Sequence, residues 1–531
     1  MVVKILFLCV FFAVMVGVGF YCRKHSTDVN GFVLGGRSVG PWLTAFAYGT
    51  SYFSAVIFVG YAGQFGWKFG VASTWVGIGN AIIGSLLAWV ILGRRTRIMT
   101  QHLDTATMPQ FFEKRFDSNG LKLFSSLIIF IFLIPYTASL YNGLSRLFEM
   151  AFSVDYTICI VIMAILTAVY VIAGGYMATA INDFIQGIIM LFGIVAVIAS
   201  ALRINGGFLG SLEALANVSD ATVSSQPGVF ASFFGPDPLG LLFVVILTSL
   251  GTWGLPQMVQ KFYAIESEKS IHKGTVISTF FAMVVAGGCY FLGGFGRLFP
   301  VDVAKDGFDA IIPKMLSELS PALIGITLVL VLSASMSTLS SLVLTSSSTL
   351  TLDFIDPVIF RSGNTSNKGA SKGKKKDEAA QKEAEKRNLI TIRIFIGVFI
   401  IISSIIAIVQ YKLNLAFIAQ LMGLSWGALA GSFLAPFLYS LYWKGTTKIA
   451  CYVNFVWGSG IMLLNMFAKP AFPAILQSPV NCGAVAMLGG LIIVPLVSLI
   501  TQKPSAKKLD SIFGCYEQKV TVPITDALSD E

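Results

Sequence analysis

A run of hydroxyl side chains at residues 333–341 is the part of this sequence most suited to binding an ion. Ser337, Ser340 and Ser341 stand at positions i, i+3 and i+4, so a helix would place them on one face, and Thr338 adjoins that face. Clustered neutral oxygens suit a hard cation such as sodium that has to be released again. Serines in membrane helices also bond to carbonyls of their own helix or to neighbouring helices, and this alternative stays open.

Asp183 is an acidic residue at the start of an apolar stretch that covers residues 181–203. An acidic side chain inside a membrane span costs free energy and is usually functional. Placed near the hydroxyl run, its carboxylate would create a second, charged cation site. The alternative is that Asp183 caps the beginning of a helix at the membrane interface.

Two apolar stretches contain residues that interrupt helices: YGTSYFS at residues 48–54 and GTWGLPQ at residues 251–257. Glycine and proline weaken or break a helix, and inside lipid the freed backbone groups need protein, water or a ligand. Five stretches counted from each interruption give two matching sets, 41–203 and 238–441. Paired interruptions of this kind are typical of transporters that bind their substrate near the middle of the bilayer. A simple kink without a ligand is the alternative.

The composition indicates that the elements carrying these residues cross a membrane. Of the 531 residues, 55% are hydrophobic and only 12% are charged, whereas soluble domains carry about 25% charged residues. We therefore predict an all-α integral membrane protein with a transporter domain over 1–501. Spanning takes about 20 residues, and thirteen stretches are long enough: 2–22, 41–66, 70–93, 122–150, 154–174, 181–203, 238–262, 274–297, 321–352, 390–410, 414–441, 449–467 and 483–501.

The distribution of lysine and arginine predicts the orientation of these spans. With the N-terminus outside, the inward connections hold 26 basic residues and the outward ones hold 7. The net charge of +10 then reflects topology and contact with anionic lipid, and it argues against nucleic acid as a partner. Residues 361–388 are predicted as a polar cytoplasmic loop, either disordered or partly helical from Asp377 onward, and 502–531 as a cytoplasmic tail. The scattered cysteines and histidines give no catalytic constellation, so an enzyme is not expected.

Several short runs stand in order and at similar intervals along the chain: GGRSVGP at 35–41, TSYFS at 50–54, RLFE at 146–149, NDFIQ at 182–186, PQMVQKF at 256–262 and MSTLSS at 336–341. Together they resemble the sodium:solute symporter family over about residues 4–500. The resemblance implies a LeuT-type fold, with one helix before and two helices after a 5+5 inverted repeat, and sodium as the coupling ion.

The same resemblance implies which residues bind sodium. The common site would use three backbone carbonyls and two hydroxyls, from Thr50, Phe53, Ala334, Ser337 and Thr338. Members similar to sialic acid transporters have a second sodium site, which implies two ions per cycle. In this chain it would consist of Asp183, Ser337, Ser340 and Ser341.

Within the family, the chain resembles the sodium/proline symporters, with two departures. That group has an aspartate where this chain has Tyr52, and it has a tyrosine where this chain has Thr252. We expect alternating-access import of a small organic solute, an amino acid such as proline or a small carboxylate, at the plasma (inner) membrane, with no obligate protein partner. The alternatives are a sugar, sialic acid or pantothenate carrier, or a transporter-like membrane sensor. The expected solute contacts lie near the interruptions: Tyr52, Ser54, Phe58, Trp253 and Gln257.

Overall fold

The computed structural model describes residues 2–23, 27–152, 154–221, 223–224, 226–360, 374–413 and 418–517, and this part of the chain is helical with no β-sheet. Its first half contains ten α-helices: α1 (Val2–Cys22), α2 (Val29–Leu34), α3 (Pro41–Tyr52), α4 (Ala62–Phe69), α5 (Thr74–Gly79), α6 (Arg94–His102), α7 (Met108–Phe116), α8 (Asn119–Phe152), α9 (Tyr156–Ile204) and α10 (Gly207–Ala216).

The second half of the described chain contains eleven further helices. They are α11 (Pro238–Leu250), α12 (Pro256–Ala264), α13 (Glu268–Gly293), α14 (Val303–Asp306), α15 (Ile311–Ser317), α16 (Pro321–Thr349), α17 (Lys374–Leu413), α18 (Ile418–Tyr442), α19 (Lys448–Phe467), α20 (Pro479–Ile500) and α21 (Ala506–Phe513). Proline stands at the first position of several of them, where its missing N–H costs no hydrogen bond.

Ten helical segments in the described part are long and apolar enough to cross a membrane. They are Val56–His102, Asn119–Phe152, Tyr156–Ile204, Pro238–Ala264, Glu268–Gly293, Pro321–Phe360, Lys382–Leu413, Ile418–Tyr442, Lys448–Phe467 and Pro479–Ile500. The predicted all-α membrane architecture is therefore confirmed, while the number thirteen stays a prediction.

Helix α9 contains two of the predicted stretches. Its 49 residues would extend about 74 Å at about 1.5 Å per residue, more than twice the thickness of the hydrocarbon layer. The chain turns at Gly175, which has a φ of 56°. A Cβ atom there would lie 2.8 Å from atoms of Phe32, so only glycine permits this turn. The residues on either side therefore form two separate helical parts, in agreement with the two predicted stretches.

Both predicted interruptions are present in the structure. Helix α3 ends at Tyr52, and helical structure resumes in a π-helical turn over Val56–Tyr61 that leads into α4. Helix α11 ends at Leu250, a 3-10 turn follows over Gly251–Trp253, and α12 begins at Pro256. The division of the chain into repeats 41–203 and 238–441 stays a prediction.

Helix α16 occupies the centre of the bundle and faces both the first interruption and α9. Nearly all of its side chains from residue 327 to its end at Thr349 are buried. It packs against α1, α3, α8, α9 and α17. The hydroxyl run at residues 333–341 therefore lies in the interior of the protein, away from lipid.

Connections that the charge distribution assigns to one side of the membrane contact one another. Arg37 donates to the carbonyl of Thr105 at 2.7 Å, and Arg97 donates to that of Ile265 at 2.9 Å. On the opposite side, Lys68 pairs with Asp237 at 2.8 Å and Arg297 pairs with Asp220 at 3.0 Å. This grouping of the connections agrees with the predicted topology. Which of the two groups faces the cytoplasm stays a prediction.

Helix is present in both of the polar segments that the sequence predicts as a cytoplasmic loop, partly helical from Asp377 in one alternative, and as a tail. Within 361–388, helix α17 begins at Lys374, because alanine, glutamate and lysine are strong helix formers and the span that follows extends the helix. Within 502–531, α21 packs near α6, and Tyr516 donates to the carbonyl of Arg95 at 3.1 Å. Residues 361–373 and 518–531 lie outside the described part of the chain.

Candidate cation and solute site

The end of α3 presents two backbone carbonyls to α16. The last carbonyls of any helix lack partners within that helix. Phe53 adopts an extended conformation with φ −90° and ψ 119°, so the helical hydrogen-bond pattern stops there. The carbonyl oxygens of Thr50 and Phe53 are thereby available to groups on the neighbouring helix.

Two hydroxyls of α16 lie against these carbonyls. Thr338 Oγ1 is 3.0 Å from the carbonyl oxygen of Thr50 and 3.2 Å from that of Phe53. It is also 3.1 Å from the carbonyl oxygen of Ala334. Ser337 Oγ is 3.2 Å from Thr50 O and 3.1 Å from Ala334 O. The structure thus brings together all five groups predicted for the common sodium site, which we call the first cation set.

The first cation set contains more acceptors than donors. Its three carbonyl oxygens each have two lone pairs, whereas the two hydroxyls supply one proton each. All five residues are fully buried, so water cannot freely complete the bonding. A buried group of neutral oxygens with surplus lone pairs is suited to a small hard cation.

Two of the four groups predicted for a second sodium site face a lysine. Lys261 Nζ lies 3.1 Å from Ser341 Oγ and 3.9 Å from Asp183 Oδ2. Ser340 Oγ donates instead to the carbonyl of Ser337 in its own helix, at 2.9 Å. The Ser337 hydroxyl belongs to the first cation set, so the structure assembles Asp183 and Ser341 but not the whole predicted group.

Lys261 is a functional candidate in the interior of the protein. The count of basic residues in the connections assigns it wrongly to an inward loop. The structure places it within α12, with a side chain only 2% exposed. The reason is a boundary error: Lys261 stands close to the end of the predicted span 238–262, where a shift of two residues moves a charge between loop and membrane. A lysine inside a span was itself a signal for function.

Two of the predicted solute residues bury polar groups beside the interruptions. Both amide atoms of Gln257 are buried and make no hydrogen bond within the described part of the chain. Ser54 is also buried, and its side chain lies beside that of Tyr136. Phe58 is fully buried in the π-helical turn. The side chain of Tyr52 lies outside the described part, so its predicted role stays untested.

Trp253 uses its polar group for structure. Its indole Nε1 donates to the carbonyl of Ile83 at 2.9 Å, and the neighbouring Thr252 hydroxyl lies 3.0 Å from the carbonyl of Gly84. The Trp253 side chain is therefore fixed against the helical segment that follows α5, and it can offer a solute only apolar contact.

Tyr136 is a further candidate for solute contact. Its side chain on α8 lies beside that of Ser54, and its ring packs edge to face with Trp426 at a centroid distance of 5.8 Å. Its buried hydroxyl faces the side chains of Ser54 and Trp426. No sequence signal marks Tyr136, because α8 carries two tyrosines and only the packing shows which one faces the interruption.

Comparison with known proteins decides the family of this chain. The sequence model of the sodium:solute symporter family matches residues 32–456, about four-fifths of the chain. The chain belongs to the sodium:solute symporter family. The sodium/proline symporter of Staphylococcus aureus strain JH9 is 29% identical to it over 516 residues, covering 94% of this chain and 93% of the relative. The protein of strain NCTC 8325 gives the same values.

A solved structure shows the fold of this symporter. A Na+-coupled sialic acid symporter in a substrate-bound outward-open state aligns with a TM-score of 0.70 and 18% identity, covering 95% of this chain and 98% of the other. The symporter therefore has the LeuT-type architecture predicted from the sequence. It is a membrane protein that couples the import of a small organic solute to sodium.

Proposed function

We propose that this symporter binds sodium in the first cation set and uses it to import a small carboxylate-bearing solute, such as proline, across the plasma membrane. The observation that supports this most directly is the approach of the Ser337 and Thr338 hydroxyls to within 3.2 Å of the carbonyls of Thr50 and Ala334. The N-terminus lies outside and the C-terminus in the cytoplasm, as the basic residues of the connections indicate.

Sodium couples to the solute through the first interruption. An ion bound by Thr50 and Phe53 on one side and by α16 on the other holds the end of α3 in place. Ser54 follows Phe53 directly, so the same ion orders a solute-binding residue. Two ligands that each stabilise one local arrangement bind with positive coupling, and the coupling is the same in both directions.

The second interruption supports a carboxylate as the recognised group. Helix α12 begins at Pro256 after Leu255, and no side chain caps its N-terminal N–H groups. Such an end attracts negative charge, and half-helix N-termini hold anionic substrate groups in transporters of this architecture. The unpartnered amide of Gln257 lies in the same helical turn. Phe58 and Trp253 can cover an apolar body such as the ring of proline.

Uptake into liposomes tests this function. Purified protein should accumulate radiolabelled proline when sodium is outside and potassium is inside, and should stop when sodium is replaced by choline. Unlabelled amino acids, small carboxylates and sugars are added as competitors, and carboxylate compounds should compete best. Inhibition by a sugar alone, or uptake that is indifferent to sodium, would overturn the proposal.

A variant of Gln257 tests the solute half of the site. Gln257→Leu should raise the KM for the solute about 10- to 100-fold, because a hydrogen bond to a charged group contributes about 1.5–3 kcal/mol. The matched control is Gln260→Leu, one turn along the same helix, where the amide is already bonded to Val33 and Thr345. An unchanged KM in Gln257→Leu would remove this residue from the site.

A further inference from the structure

Lys261 links four helices at the position where a second sodium ion is predicted. Its ammonium group on α12 lies 3.1 Å from Ser341 Oγ on α16 and 3.9 Å from Asp183 Oδ2 on α9. Ser341 Oγ in turn lies 2.9 Å from Ser51 Oγ on α3. The ammonium also stands 5.0 Å from the ring centroid of Tyr176, whose face attracts cations.

The pair of Lys261 and Asp183 is costly to bury and therefore calls for a functional explanation. The Lys261 and Asp183 side chains are 2% and 0% exposed. Removing two charges from water is favourable only when they compensate each other closely. Neither carboxylate oxygen of Asp183 makes a hydrogen bond within the described residues, so the ammonium is the cation that this carboxylate faces.

The hydroxyls that a free ion would need are occupied elsewhere. Ser340 Oγ donates to Ser337 O at 2.9 Å. Ser337 Oγ contacts the carbonyls of Thr50 and Ala334 in the first cation set. Of the four residues predicted for a second ion, Asp183 and Ser341 remain, and both face Lys261.

We infer that the Lys261 ammonium takes the place of a second sodium ion, so that this symporter moves one sodium ion per solute. This inference rests on the proposed function for its transport cycle. A cation attached to the chain neutralises Asp183 and joins α12 to α9 and α16, as a bound ion would. It cannot dissociate into the cytoplasm, so it carries no charge across the membrane in a cycle.

Direct counting of bound sodium tests the inference. Equilibrium binding of radiolabelled Na+ to the purified full-length protein should show one saturable site in the wild type. Lys261→Met should gain a second site, because Asp183 and Ser341 then lack their cation. Adding Asp183→Asn to that variant should remove the second site again and leave one.

A matched lysine provides the control. Lys122 is also largely buried, and its ammonium is bonded to Glu113 at 2.6 Å, outside the first cation set and the group of Asp183, Lys261 and Ser341. Lys122→Met should bind one sodium ion, as the wild type does. If Lys261→Met does not fold, Lys261→Gln carries the same test, because it keeps a hydrogen-bond donor near Ser341 without the charge.

Two results overturn the inference: two sodium ions bound to the wild type, or no additional site once the ammonium is removed. The ratio of sodium to solute fluxes in liposomes provides the second readout, with one expected for the wild type and two for Lys261→Met. Failure to import any solute would instead contradict the proposed function and would leave the sodium count valid. The two hypotheses can therefore fail separately.

Discussion

The first cation set, which is neutral, and the charged set formed by Asp183, Lys261 and Ser341 involve adjacent turns of α16, yet they differ in charge. The first consists of neutral oxygens from Thr50, Phe53 and Ala334 with two hydroxyls, and it includes no charged side chain. The second contains a carboxylate and an ammonium within 3.9 Å of each other. A neutral set has to take a cation from solution, whereas the charged set already holds one.

This difference shows how α16 can contribute both to a sodium site and to a fixed link between helices. A neutral set binds sodium with moderate strength, which permits release in every cycle, whereas a buried carboxylate attracts a cation far more strongly. One ion moving through 100 mV supplies about 2.3 kcal/mol, and a tenfold sodium gradient adds about 1.4 kcal/mol. A single ion could therefore accumulate the solute several hundredfold, so the charged set can remain a structural link.

The largest expected effect comes from the neutral set. Thr338→Val keeps the shape of the side chain and removes the hydroxyl that approaches three carbonyls. It should raise the sodium concentration for half-maximal uptake about 10- to 100-fold, because a contact between a dipole and a charge contributes about 1.5–3 kcal/mol. Initial uptake rates measured over a range of sodium concentrations check this prediction.

The control for Thr338→Val is Thr327→Val on the same helix. The Thr327 hydroxyl donates to Leu323 O at 2.8 Å within its own helix and belongs to neither cation set. Uptake by Thr327→Val should keep the sodium dependence of the wild type. If both variants lost sodium affinity equally, the effect would reflect damage to α16, and the contrast between the two sets would lose its basis.

The neutral set could be predicted from the sequence because each of its parts is a local feature. Glycine, proline and short polar residues mark the interruption near Thr50, and the spacing of Ser337 and Thr338 follows from helix geometry. The family resemblance supplied the pairing between them. The role of Lys261 could not be predicted, because it depends on where α12 ends and on which neighbours its long side chain reaches.

The solute residues show the same limit of sequence information. Ser54 and Gln257 follow directly from the positions of the two interruptions. Trp253 stands in the same segment, but its indole points toward Ile83, because the rotation of a helix end after a break is fixed by packing. Tyr136 comes from a helix without any interruption, and only the folded chain brings it beside Ser54.

A smaller effect is expected from the charged set when a hydroxyl is removed. Ser341→Ala takes a partner from Lys261 Nζ and from Ser51 Oγ. Loss of a buried hydrogen-bond partner costs about 1–3 kcal/mol, so the thermal unfolding temperature in detergent should fall. The sodium concentration for half-maximal uptake should change by less than about threefold, since one ion site is untouched. A loss of one bound sodium ion would show instead that Ser341 binds an ion.

The smallest effect is expected for Ser340→Ala. This variant distinguishes most clearly between a charged set that is neutralised by Lys261 and one that binds a second sodium ion. The Ser340 hydroxyl donates to Ser337 O at 2.9 Å, a carbonyl inside a continuous helix. Alanine favours the helix more than serine does, which offsets the lost bond, so stability should change by about 0.5 kcal/mol or less. If Ser340 were a ligand of a second sodium ion, as the family resemblance implies, the same substitution would lower sodium affinity about tenfold or more and reduce the cooperativity of uptake. Sodium titrations of uptake for Ser340→Ala and wild type, measured side by side, distinguish these outcomes because the site held by Thr338 is intact in both proteins.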